Sequence, residues 1–306
     1  MSEHEYEDQH RLAGAGVVVG VDGSPGSELA LHWAAEFALR RGRELQIVHG
    51  LDLAATTVAG PYAVITPAVI DSVRENGQRL VRSAVQNVRA EYPDLRVAAY
   101  MSSDSAAAIL IDHSERAYAV VLGATGNHGT LAHLGSTLLA VTSHAAGSVI
   151  VVRPDPEADN TIHDSGPVVV GIDGGPVSEP AIAAAFAEAS ERGADLVALH
   201  VWNDWSAGMF AGDKSANMPE DCEVTEESVL AERLAGWQEK YPDVTVHRRL
   251  YFSAPAAQLR EWSKHAQLLV VGNRGRGGFL GLLLGSTTHS LVQHAHCPVM
   301  VVHSAE

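Results

Sequence analysis

The chain repeats itself at the scale of a whole domain. Residues 17–25 read VVVGVDGSP and residues 168–176 read VVVGIDGGP, an offset of 151. The match continues through Ser27-Glu28 with Ser178-Glu179, Arg41-Gly42 with Arg192-Gly193, and His49 with His200. At offset 149, Tyr92-Pro93-Asp94 meets Tyr241-Pro242-Asp243, and Gly123-x2-Gly126 meets Gly272-x2-Gly275. At offset 150, Gly135-Ser136-Thr137 meets Gly285-Ser286-Thr287, and His144-Ala145 meets His294-Ala295. Matches in one order with so little drift require two copies of one fold. The period is a domain, so the chain is a tandem pair and not a solenoid. The expected organisation is an acidic tail at 1–14, a first domain at 15–153, a polar linker at 154–165 and a second domain at 166–306.

Within each copy, apolar runs alternate with helical periodicity. Val17–Val21 and Val168–Ile172 are continuous apolar runs of the kind buried on both faces of a parallel sheet. An alanine-rich helix follows, at 26–40 and 177–191, closed by Arg-Gly. Further strands are expected at 45–49, 96–100, 119–123 and 149–153, and at 196–201, 245–251, 268–272 and 299–303. A variable segment, 51–70 or 202–222, leads into a long amphipathic helix that ends at Tyr-Pro-Asp. Strands alternating with helices give an α/β fold, a doubly wound parallel sheet of five strands in each copy.

Charge and composition narrow the partners. Against 37 acidic residues stand 21 basic ones, a formal charge of -16. That argues against non-specific binding to duplex nucleic acid or to an anionic membrane, both of which need an electropositive face. A small anion held by backbone amides stays open. The longest apolar runs fall far short of the ~20 residues a membrane span needs. No signal peptide is read in the acidic start. Cys222 and Cys297 form no CxxC pair, and a reducing compartment is expected. The sequence therefore reads as a soluble cytoplasmic protein.

Two segments carry binding chemistry. Asp22 and Asp173 end the first strand of each copy, where ligands bind in such sheets. The same residues before Gly-Ser-Pro or Gly-Gly-Pro also serve as turn formers, and alone they favour that reading. The second segment is stronger. Copy two reads GNRGRGGFLGLLLGSTTHS from Gly272. Glycines let backbone N–H groups approach an anion, and a helix N-terminus favours negative charge. Ser286 and Thr288 add hydroxyls, and Arg274 and Arg276 add the nearby positive charge. The segment has no GxxxxGK[ST] pattern and no lysine, so it is not a Walker loop. No Gly-x-Ser-x-Gly elbow supports a nucleophilic serine. His294-Ala295-His296 and His303 are better read as capping or surface histidines than as zinc ligands. Trp202, Trp205 and Phe210 form an aromatic cluster in the variable segment, equally a lid or loop packing.

The whole pattern resembles the universal stress protein family in its tandem form. ATP-binding members carry G-x2-G-x9-G-[ST] after strand four. Gly272-x2-Gly275-x9-Gly285-Ser286 fits that spacing, and Gly123-x2-Gly126-x8-Gly135-Ser136 is one residue short. The resemblance implies a Rossmann-like sheet order of 3-2-1-4-5. It implies Val21, Ile172 and Val201 at an adenine site, and Asp22 and Asp173 at the ribose. Ser24 belongs to the same turn. Gly126, Gly135, Ser136 and Thr137 of copy one, with Gly275, Gly285, Ser286, Thr287 and Thr288 of copy two, would hold phosphates. The ligand so implied is ATP, with or without Mg2+. The expected role is stress-response regulation by nucleotide binding, in a homodimer, with a slow ATPase or a nucleotide-independent scaffold as rivals. No catalytic base is apparent, so binding is favoured over turnover. Thr125 and Leu138 stand in copy one where copy two has Arg274 and Thr288, and Asn127-His128 falls opposite Arg276-Gly277. The two sites are therefore expected to differ, with copy two the tighter.

Overall fold

The computed structural model describes residues 14–54, 67–126, 135–202, 220–275 and 284–304, with side chains from 226 onward in the fourth of these segments. The tail at 1–13, His128, Trp205, Phe210, the Cys222 side chain and Arg276 lie outside them. The chain divides into two units, the first ending at Val152 and the second running from Arg153 to Ser304.

The first unit contains β1 (Val17–Gly20), α1 (Pro25–Arg40), β2 (Leu45–Gly50), α2 (Pro67–Glu91), β3 (Val97–Ser102), α3 (Ala106–Ser114), β4 (Ala119–Gly123), α4 (Ser136–His144) and β5 (Ser148–Val152). Its strand pairs are parallel and run in the order 3-2-1-4-5. The second unit contains β6 (Val168–Ile172), a 3-10 turn (Pro176–Ser178), α5 (Glu179–Arg192), β7 (Leu196–Trp202), α6 (Glu220–Leu234), α7 (Trp237–Lys240), β8 (Val246–Phe252), α8 (Pro255–Ser263), β9 (Leu268–Gly272), α9 (Ser286–His294) and β10 (Val299–Val302). Its pairs are parallel too, in the equivalent order β8-β7-β6-β9-β10.

The central strands are apolar because both faces are covered. Val17, Val19, Val120 and Val121 have no exposed surface, and neither do Val168, Val169 and Val170. Helix α1 meets the sheet with Ala30, Ala34, Ala35 and Ala38, small residues that allow close approach. Ser24 starts that helix, its hydroxyl accepting from Ser27 N–H, and Pro25 pre-sets the first turn. Gly42 and Gly193 follow the helices at φ +61 and +59, where a β-carbon is strained. The long helix before β3 is unbroken in copy one. In copy two it is split, because Gly236 adopts φ +81 between α6 and α7. No helix among the described residues is long and apolar enough to cross a membrane.

Residues 153–163 are folded onto the second unit. The Arg153 guanidinium donates to the carbonyls of Val292 (2.9 Å) and Ala295 (3.1 Å). Asp155 pairs backbone to backbone with Thr161. Its carboxylate accepts from the Glu157 N–H, from His296 Nδ1 and from His163 Nε2 at 2.9, 2.8 and 3.0 Å. A polar composition suggested a spacer; hydrogen bonding makes this one an ordered strap.

Candidate functional site

The sheet order places β1 beside β4, with connections leaving in opposite directions. The crevice outside their carboxyl ends is the topological switch point where such sheets bind ligands. In copy one it holds a cleft of about 380 Å³. Val21 and Asp22 line it from the turn after β1, Gly123 and Gly126 from the end of β4 and just beyond, and Gly135, Ser136 and Thr137 from the start of α4. Its other wall is apolar, with Val48, Ala106, Leu110 and Leu122. An apolar end and an amide-rich end in one crevice suit a ligand with a flat base and an anionic tail.

The aspartates have two faces. Asp22 Oδ1 accepts from Ser24 N–H at 2.9 Å, and Asp173 Oδ1 accepts from Gly175 N–H at 2.8 Å and from Ser178 Oγ at 3.0 Å. Each thus closes its own turn. The other oxygen faces the glycine loop. A β-carbon on Gly126 would stand 2.9 Å from Asp22 Oδ2, and one on Gly275 would stand 3.3 Å from Asp173 Oδ2. Turn former and site residue are the same carboxylate.

The helix starts differ according to what they face. Ser24 caps α1 and Ser105 caps α3 through their hydroxyls. α4 and α9 instead begin at Gly135 and Gly285, with no side-chain cap. The first N–H groups of a helix have no partner within it. A glycine cap supplies no side chain to satisfy them. Among the described residues, a β-carbon at Gly135 would meet no atom within 4 Å, and one at Gly285 only ordinary contacts at 3.5 Å or more, so no described neighbour demands glycine at either place.

Other predicted positions have structural duties. Ser24 is 2% exposed and its hydroxyl donates to Thr125 O, so it is enclosed at the helix start and does not line the cleft. Gly123 packs against α1, since its β-carbon would fall 2.3 Å from Gly26 O. The Thr288 hydroxyl proton goes to Gly272 O at 2.7 Å, which ties α9 to the end of β9 and withholds that donor from a phosphate. Leu138, its counterpart, lines the copy-one cleft. Gly285 N–H donates to Asn273 O, closing the loop that carries Arg274. Ile172 ends β6, Val201 is the next-to-last residue of β7, and Ser286 and Thr287 open α9.

A repeated histidine had been only a marker of the duplication. His49 Nδ1 donates to Val21 O at 2.8 Å, and His200 Nδ1 donates to Ile172 O at 2.7 Å. Each ring ties the end of the second strand to the residue before the aspartate. A carbonyl only accepts, so Nδ1 carries the hydrogen. In copy two, Nε2 lies 2.8 Å from Glu226 Oε2, so the carboxylate holds the far side of the ring. In copy one Gly77 occupies that place, its β-carbon position 3.2 Å from His49 Nε2. The repeat offset of 149 pairs Gly77 with Glu226, and this was the signal available in the sequence.

Comparison with known proteins agrees with this architecture. The domain model of the universal stress protein family matches residues 16–153 and again 165–303. A universal stress protein of Mycolicibacterium smegmatis is 44% identical over 296 residues, covering 94% of this chain and 96% of its own. One from Mycobacterium tuberculosis strain H37Rv is 38% identical over 295 residues, covering 94% of this chain and 95% of its own. The crystal structure of a universal stress protein from Archaeoglobus fulgidus superposes with a TM-score of 0.65 at 20% identity. The match covers 95% of this chain and 99% of that one, a likeness of fold.

Proposed function

The chain belongs to the universal stress protein family as two tandem copies of its domain, and we propose that its crevices bind an adenine nucleotide, with ATP the preferred ligand. The observation that carries this is the meeting of three elements at one crevice. These are the Asp22 carboxylate, the glycine that follows β4, and the uncapped N-terminus of α4. Copy two repeats the set with Asp173, Gly275 and α9. A volume of about 380 Å³ lies within the range of small-molecule pockets.

In this reading the base enters against Val21, Val48 and Leu110. The ribose hydroxyls meet the aspartate, and the phosphates meet the amides of Ser136 and Thr137 or of Ser286 and Thr287. Arg274 adds charge in copy two, which makes copy two the tighter site. Mg2+ would arrive on the phosphates and screen their charge from the carboxylate. The family spacing of glycines and the absence of lysine from 123–137 and 272–288 support binding over turnover. The protein is a regulator in stress adaptation, homodimeric and cytoplasmic on this reading. Light scattering that gave only a 32.4 kDa species at micromolar concentration would remove the dimer.

Acid extraction of the purified protein, followed by chromatography, tests the reading directly. Adenine nucleotide in the extract, or heat on titration with ATP, is the expected result. An empty extract together with a flat titration defeats it.

A further inference from the structure

We infer that Arg153, Asp155, His163 and His296 form a clasp that positions α9, and that a nucleotide at one end of this helix and the clasp at its other end stabilise each other. The inference rests on the nucleotide reading above. α9 has nine residues, Ser286–His294, and spans about 13 Å at 1.5 Å per residue. Its N-terminus is the glycine-capped end offered to phosphate. Its C-terminal carbonyls at Val292 and Ala295 receive the two Arg153 hydrogen bonds.

Arg153 is 7% exposed, and burial pulls its guanidinium down to about 10, still charged at neutral pH. A buried cation there complements the negative end of the helix. The residue after Ala295 is His296, and its ring is held by Asp155. Asp155 is held in turn by His163, whose Nδ1 donates to Ala266 O at 2.9 Å. The strap is thereby anchored at α9 on one side and before β9 on the other.

Copy one shows which part of this is special. In both copies the backbone N–H at this position donates to a serine, Ala146 to Ser114 at 2.8 Å and His296 to Ser263 at 2.9 Å. The scaffold is common, and the ring is not: Ala146 stands where copy two has His296. A short helix moves nearly as a rod, so α9 cannot shift at its phosphate end without disturbing carbonyls already bonded to a buried guanidinium. An anion at the N-terminus and a cation at the C-terminus also act on the same dipole with the same sign. Coupling between two sites is reciprocal: whatever factor ATP adds to the clasp, the clasp adds to ATP. Arg153, Asp155 and His296 are positioning residues in this scheme and need not touch the ligand.

Hydrogen exchange on the full chain, with and without ATP, reads both ends at once. ATP should slow exchange in 285–294 and, by about fivefold, in 154–163. His296→Ala, which installs the residue copy one carries, should abolish the response in 154–163 and weaken ATP protection at 285–294 by a similar factor. His296→Asn, which keeps an N–H donor near the Nδ1 position, should restore both. If His296→Ala does not fold, Asp155→Asn makes the same test. A purely structural role would lower the melting temperature without making exchange in 154–163 respond to ATP. Protection at 285–294 with no change in 154–163 overturns the clasp and spares the nucleotide reading. Protection at neither overturns both.

Discussion

Gly126 and Asp22 lie so close that a β-carbon on the glycine would stand 2.9 Å from the carboxylate. The loop after β4 and the turn after β1 therefore touch through the one residue type with no side chain. The aspartate keeps one oxygen for its own turn and turns the other toward the loop. An arrangement that both closes the turn and shapes the crevice makes the glycines around it separable by substitution.

Gly135→Ala and Gly285→Ala should fold and bind poorly. Among the described residues the added methyl meets no atom closer than 3.5 Å at either site, so stability should change by no more than about 1 kcal/mol, the scale of a cap change. On the nucleotide reading, the same methyl stands where phosphate approaches the amides. Calorimetry should show ATP affinity reduced roughly tenfold at the altered copy, with the Gly285 variant removing the tighter event. Unchanged ATP binding in both variants would refute the cradle assignment.

Gly26→Ala and Gly123→Ala should fail in the opposite way. Their β-carbons would fall 2.1 Å from Thr125 O and 2.3 Å from Gly26 O, both backbone atoms that cannot rotate aside. Overpacking of this kind costs on the order of 3 kcal/mol or more. Denaturant unfolding should show the loss without any ligand present.

Glu226→Ala should leave His200 Nε2 without its carboxylate at a site where the ring is 2% exposed. A stranded buried polar group costs about 1–3 kcal/mol. Glu226→Gln keeps a hydrogen-bonding group and should recover part of it. Thermal unfolding of the two variants ranks them, and equal melting points would contradict the pairing.

Acid should loosen the second unit through Asp155. Burial by itself would raise this carboxyl, but hydrogen bonds from His296, the Glu157 N–H and His163 outweigh burial and hold it below its ordinary 3.8. A depressed carboxyl contributes stability that is fully present above the ordinary value and is lost as pH falls through the lower folded value. Asp155→Asn should cost about 3 kcal/mol near pH 6, with the gap from wild type closing below about pH 4. A gap that stayed constant with pH would exclude the ionised carboxylate as the source.

The duplication made most of the fold legible, because valine runs such as Val17–Val19 and Val168–Val170 are buried on both faces and leave few alternatives. The strand-one turn was legible because an Asp-Gly turn is local chemistry, while the glycine-loop residues 127–134 and 276–283 lie outside the described residues. Four features were not legible. Ser24 looked like a site residue, but its hydroxyl is turned into the helix start, a direction composition does not encode. Thr288 looked like a phosphate donor, but its proton satisfies Gly272 O, a contact across 16 residues. The His200–Glu226 pair needed the fold to bring β7 and α6 together. The split of the long helix at Gly236 was visible as a glycine, yet its left-handed backbone is a matter of tertiary packing.

The strap also decides where the second half can be severed. Family homology begins at residue 165, but the hydrogen bonds of that half begin at Arg153. A gene fragment opened at 165 would discard the guanidinium from the carbonyls of Val292 and Ala295. It would also strand His296, 7% exposed, without its carboxylate. Such a fragment should express poorly and aggregate, whereas one opened at Arg153 carries its own fastening. Homology marks the ancestral seam of the duplication, and the mechanical seam lies a dozen residues upstream.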